Sequence, residues 1–165
     1  MLGMRQFPGA ALLVLAAGAS LFAGQPGPRV AVFTAEQAAS GKIEIQKNSF
    51  GACTDCHTTA LTGRKGAPGE LPPLASLSAD YRKLVNGNGG IVPPFVGQEF
   101  VQKWGPRTTQ ALIKEFEDRF APPGSRMSRE TRLNLIAYIL QANGAVAGTQ
   151  PLTPETDVPL KDVVQ

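Results

Sequence analysis

The chain has 165 residues, enough for one compact domain with a substantial core and too few for two. Its formal charge of +3 comes from 16 basic and 13 acidic residues that never collect into a basic cluster, which argues against a nucleic-acid-binding face. The 18 glycines and 14 prolines predict helices joined by long loops in place of a continuous sheet, a composition that suits a domain folded around a bound group.

Residues 1–24 carry Arg5, then an apolar run from Ala10 to Ala17, then the small residues Ala17-Gly18-Ala19 and Ala23-Gly24. This is the order of a secretory signal peptide. The run is shorter than the roughly 20 apolar residues a bilayer span requires, so cleavage after Ala19 or Ala23, with no stable membrane span left behind, is the expectation. Neither a twin arginine nor a lipid-accepting cysteine accompanies it, so export by the general pathway to the periplasm or another oxidising compartment is expected. Cleavage removes one arginine and no acid, lowering the formal charge by one.

A loose segment over 25–33 is expected next, then a folded domain over 34–144. Thr34 and Gln37 have the spacing of a capping box, predicting a helix from about Ala35 with Ala38, Gly41 and Ile45 on its inner face. A mid-helix glycine costs stability unless another element packs closely there, and the last helix is the expected neighbour. Residues 63–73 read as an irregular loop, 78–85 as a short helix capped by Ser78 with Tyr81, Leu84 and Val85 inward, and 93–97 as extended. A short helical turn with Phe100 and Trp104 follows. Thr108 or Thr109 then caps a helix whose stripe is Leu112, Ile113, Phe116 and Phe120, stopped by Pro122-Pro123-Gly124. Ser128 caps the last helix, which carries Leu133, Ile136, Ala137 and Leu140 on one face and ends at Gly144. The tail over 145–165 has only isolated apolar residues, so it is expected to lie over the surface without forming an element.

Cys53-Thr-Asp-Cys56-His57 contains both cysteines and the only histidine of the chain. Two thiols at this spacing project from one turn and can each add to a haem vinyl group, while the next residue sets an imidazole beneath the iron. A zinc site would need four ligands where the chain offers three, and a redox-active cysteine pair belongs at a helix start within a βαβ pattern, which is absent. The motif therefore points to one covalent haem c held by Cys53 and Cys56.

With His57 as one axial ligand, no second histidine is available, leaving Met, Lys, a backbone group, water or an open position. Met1 and Met4 lie in the signal segment, so Met127, in an extended stretch between two helices, is the candidate; the competing role is a gap-filler in the core. A thioether in the sixth position raises the reduction potential and closes the iron to oxygen, which favours electron transfer over catalysis. His57 needs a carbonyl for its other ring nitrogen, and Pro93-Pro94 and Pro72-Pro73 both lie in segments that could supply one. Trp104 could reach a haem propionate through its indole N–H or simply belong to the core. Arg64 and Lys65 could neutralise propionates, ring the haem edge, or stand as solvated loop charges.

These features together resemble a class I c-type cytochrome over about 34–144. Leu61-Thr-Gly63, Pro93-Pro-Phe-Val-Gly97 with Phe100 and Trp104, and Ala137-Tyr-Ile-Leu-Gln-Ala-Asn-Gly144 are similar to bacterial cytochromes that accompany pyrroloquinoline-quinone-dependent dehydrogenases. The resemblance implies an all-α, cytochrome c-like fold around one haem, and a periplasmic electron carrier without enzymatic activity. Its partners would be redox proteins, with a quinoprotein dehydrogenase as donor and an oxidase or another cytochrome as acceptor. It also implies that Pro93 holds the proximal histidine. Two alternative roles remain: a haem subunit that accepts electrons within a dehydrogenase complex, and a haem-based sensor. The chain departs from the family pattern in having Met127-Ser128 for Met-Pro, a longer 63–91 stretch expected to form a lobe, and Phe50 three residues before the first cysteine instead of an aromatic at four.

Overall fold

In a computed structural model, the described residues are 28–46, 53–65, 79, 83, 87–120 and 127–165. The 1–24 segment expected to be a signal peptide, Phe50, Pro72-Pro73 and Pro122-Pro123-Gly124 lie outside them, as does most of the helix expected over 78–85, of which Ala79 and Lys83 are described and helical. The elements are α1 (Ala35–Gln46), the single turn α2 (Cys53–His57), α3 (Gln98–Trp104), α4 (Thr109–Phe120), α5 (Arg129–Ala142) and a 3-10 turn at Leu160–Asp162. Among the described residues extended pairing is confined to isolated bridges, so the fold is all-α. No helix among them is long and apolar enough to cross a membrane.

Side chains at the helix ends decide where the helices begin. Gln37 N–H donates to Thr34 Oγ1 at 3.2 Å while Thr34 N–H donates to Gln37 Oε1 at 3.3 Å, a reciprocal box that starts α1 at Ala35. Ser128 Oγ accepts from Thr131 N–H at 3.0 Å at the head of α5. At α4 the cap is Thr108, whose hydroxyl accepts from Ala111 N–H at 3.3 Å. Thr109 is thereby left to point inward.

The most extensive helix pairing is α1 against α5, and it crosses at Gly41. A Cβ there would overlap the Asn134 carbonyl oxygen and come within 2.9 Å of Tyr138 Cβ, so the missing side chain lets the two backbones touch. The larger apolar cluster lies between α3, α4 and α5 and includes Phe100, Trp104, Leu112, Ile113, Phe116, Ile136 and Leu140. A smaller one, of Ile45, Leu61 and Leu135, sits where α1 and α5 face the loop after α2.

The segments on either side of 34–144 differ from the sequence expectation. Val32 and Phe33, from the segment read as loose, and Leu152, Leu160, Val163 and Val164, from the tail read as surface-lying, are buried in the larger cluster. Their backbones are paired as well: Val30 N–H with Asp162 O at 2.9 Å, Gly148 N–H with Phe33 O at 2.8 Å, Leu160 N–H with Arg107 O at 2.8 Å. Gln37 joins them by accepting from Leu152 N–H at 2.7 Å and donating to Leu152 O at 3.0 Å. Thr109 Oγ1 donates to Thr156 O at 2.7 Å and accepts from Val158 N–H at 2.9 Å. Apolar residues without helical or strand period carry no sequence signal of burial, yet each fills a gap that the helices leave open. The larger core therefore draws on Val32 and Phe33 and on residues between 145 and 164 as well as on 34–144.

Candidate cofactor site

Cys53 and Cys56 share the single turn of α2, with His57 as its last residue. The helix stops there because Thr58 and Leu61 both take left-handed conformations, φ 66° and 59°, which fold the chain back so that Gly63 N–H donates to His57 O at 3.0 Å. This reversal drops Leu61 into the smaller apolar cluster.

Residues 61–64 are then clipped to 92–95. Arg64 and Val92 exchange two backbone hydrogen bonds at 2.9 Å, and Phe95 N–H donates to Leu61 O at 2.8 Å. Gly63, at φ 69°, allows the approach: a Cβ there would lie 2.7 Å from Pro94 N and 2.8 Å from the Pro93 carbonyl carbon. The far end of the 92–97 segment is fastened to α5 by the buried Asn143 side chain, which accepts from Gly97 N–H at 3.0 Å and donates to Phe95 O and Ile139 O, each at 2.8 Å.

The clip places Pro93 O 2.8 Å from His57 Nδ1. A carbonyl can only accept, so Nδ1 carries the proton and Nε2 keeps its lone pair. Burial lowers the His57 pKa from 6.5 to about 4, against the opposing pull of the Pro93 carbonyl. The ring is consequently a neutral imidazole at pH 7 with the correct tautomer to ligate a metal through Nε2. Its face is covered by the Phe95 ring, stacked at 3.7 Å between centroids and 16° from parallel.

Met127 reaches the same place from the other end of the sequence. Its carbonyl accepts from Arg132 Nη1 at 2.6 Å, across the first turn of α5, and its side chain packs against Ile45, Leu61 and Leu135. Cys53, Phe95, Val96 and Tyr138 pack against that same cluster. The fold thus gathers Cys53 and Met127 on one half-buried apolar wall, with Phe95 joining the wall to His57. Trp104 is placed elsewhere, buried in the larger cluster with the Arg107 guanidinium 5.0 Å and Lys103 Nζ 5.1 Å from its ring. Arg64 and Lys65 line an open hollow with Thr58, Thr62 and Gly63, and Arg64 Nε is buried without a hydrogen-bond partner among the described residues.

No family model, curated protein or solved structure matches the chain. The chemistry of the gathered groups has to speak for itself. Among the described residues no group of three or more His, Cys, Asp or Glu could hold a metal ion. A flat, largely apolar iron macrocycle fits: two thiols on one turn for covalent attachment, an imidazole nitrogen, a thioether and an aliphatic wall. Sequence reasoning named Cys53, Cys56, His57, Met127 and Pro93 but not the residues that hold them. Asn143 read only as a helix end, Phe95 as part of an extended motif, and Arg132 not at all. Gly63, Phe95 and Asn143 carried a signal only as members of the motifs that resemble the cytochrome family.

Proposed function

We propose that the protein is an exported electron carrier with a cytochrome c-like fold, binding one haem c through thioethers of Cys53 and Cys56, with His57 and Met127 as axial ligands. The observation that carries this reading is the packing of Cys53 and Met127, 74 positions apart, against one cluster of Ile45, Leu61 and Leu135, which Phe95 links to the Pro93-held imidazole. Bound haem supplies a one-electron couple at its iron.

The chain's own residues account for the rest. His57 is presented neutral and oriented. Asn143, the C-cap of α5, anchors the segment that holds His57, and Arg132, in the first turn of α5, anchors Met127, so the two ligand segments are referenced to one helix. Ligands held in this way move little when an electron arrives or leaves, which suits a carrier. With Met127 in the sixth position there is no place for a substrate at the metal, and the protein acts without catalysing a reaction itself. By the sequence resemblance, its donor is a quinoprotein dehydrogenase in the periplasm and its acceptor an oxidase or another cytochrome.

Co-expression with haem-attachment machinery tests the reading. Haem that stays with the chain through acid-acetone extraction is expected, together with a sulfur-to-iron charge-transfer band in the oxidised protein that Met127→Ala abolishes. Extractable haem refutes the attachment, and a band that is absent or survives the substitution refutes the sixth ligand.

A further inference from the structure

We infer that Phe95 is a positioning residue whose ring fixes the plane of the His57 imidazole; the inference rests on the haem reading above. The Pro93 carbonyl holds one atom of the imidazole, Nδ1, at 2.8 Å. A single hydrogen bond tolerates tens of degrees of misalignment, so by itself it leaves the ring free to swing about its bond to Cβ. The Phe95 ring, 3.7 Å away and 16° from parallel, closes off that swing from one face. Edge and face restraints together come from residues only two apart.

Phe95 cannot drift with the ring it supports. Its N–H is bonded to Leu61 O and its carbonyl to Asn143 Nδ2, both at 2.8 Å, and its ring meets Phe116 at 5.8 Å between centroids. It packs against both apolar clusters. An aliphatic side chain would fill the same space, but only a flat face can hold another flat ring in register, and aromatic pairs otherwise tend toward offset or edge-to-face arrangements. The plane of an axial imidazole sets which of the iron's π-symmetry d orbitals is higher. That ordering is read in the g-value anisotropy of the ferric protein and in the pattern of its haem-methyl proton shifts.

The experiment compares the ferric holoprotein with Phe95→Leu, Phe95→Met and Phe95→Tyr, with Leu160→Val, in the buried core, as a packing control. We expect the Leu and Met variants to show shifted or broadened g values and a changed methyl-shift order while haem stays attached, and the Tyr variant to keep the wild-type pattern. Leu160→Val should lower the melting temperature and leave the g values in place. Wild-type g values and methyl shifts in whichever of Phe95→Leu or Phe95→Met folds overturn the inference, as does a Tyr variant displaced as far as they are. Loss of haem from the wild-type protein on extraction instead refutes the haem reading, and the two failures are therefore distinguishable.

Discussion

At the scale of single residues, the candidate site depends on groups that do no chemistry themselves. His57 is the only histidine, so its ring protons give one resolvable titration in the haem-free chain. With its folded pKa lowered to about 4 by burial, the folded chain stays unprotonated between 6.5 and that value while the unfolded chain takes up a proton. Folding stability from this group is therefore complete above pH 6.5 and lost as the pH falls toward 4. NMR should show an imidazole midpoint near 4; a midpoint at 6.5 means that the ring is not held as described. Asn143→Ala leaves Gly97 N–H and Phe95 O without their side-chain partner, and unsatisfied groups of this kind cost about 2–4 kcal/mol together. Urea denaturation measures that loss, and a change below about 0.5 kcal/mol contradicts the fastening role assigned to this side chain.

At the scale of elements, the α1–α5 crossing sets the distance between the wall of the site and the rest of the core. Replacing a helical glycine by alanine ordinarily stabilises by about 0.5–1 kcal/mol. At Gly41 the new methyl would run into the Asn134 backbone, which has no rotamer to change, so overpacking at about 1–3 kcal/mol or more outweighs the propensity gain. Gly41→Ala should lower the melting temperature, and a raised one would show that the helices are not in contact there. The caps were readable in advance because they are local: Thr34 with Gln37, and Ser128 with Thr131, are three residues apart. The clip between 61–64 and 92–95 was not, because a bridge between distant loops leaves no periodicity behind.

At the scale of the whole molecule, Val32, Phe33 and the C-terminal segment complete the core. Burying Leu152, Leu160, Val163 and Val164 contributes about 1.5–3 kcal/mol apiece, together comparable to the about 5–15 kcal/mol by which a typical domain is stable. A chain ending after Thr149 should lose its cooperative thermal transition, and a truncated protein that melts like the full chain would return these residues to the role of a surface tail. Gln37 and Thr109 stitch this segment to α1 and α4. Thr109→Val keeps the shape but leaves Val158 N–H and Thr156 O unpaired, and should cost about 1–3 kcal/mol in the same assay.

The sequence by itself determined what is local or compositional. It marked the starts of α1, α4 and α5, the all-helical class, the pairing of thiols and imidazole in Cys53 to His57, and Met127 as the one methionine outside residues 1–24. Only the tertiary structure decided which carbonyl meets His57, that Phe95 covers its face, that Trp104 lies in the larger core, and that Leu152, Leu160, Val163 and Val164 are buried. Caps and motifs are fixed by interactions spanning a few residues. Each of those four outcomes depends on segments tens of residues apart coming to rest against the same surface, a property of packing that no window of sequence contains.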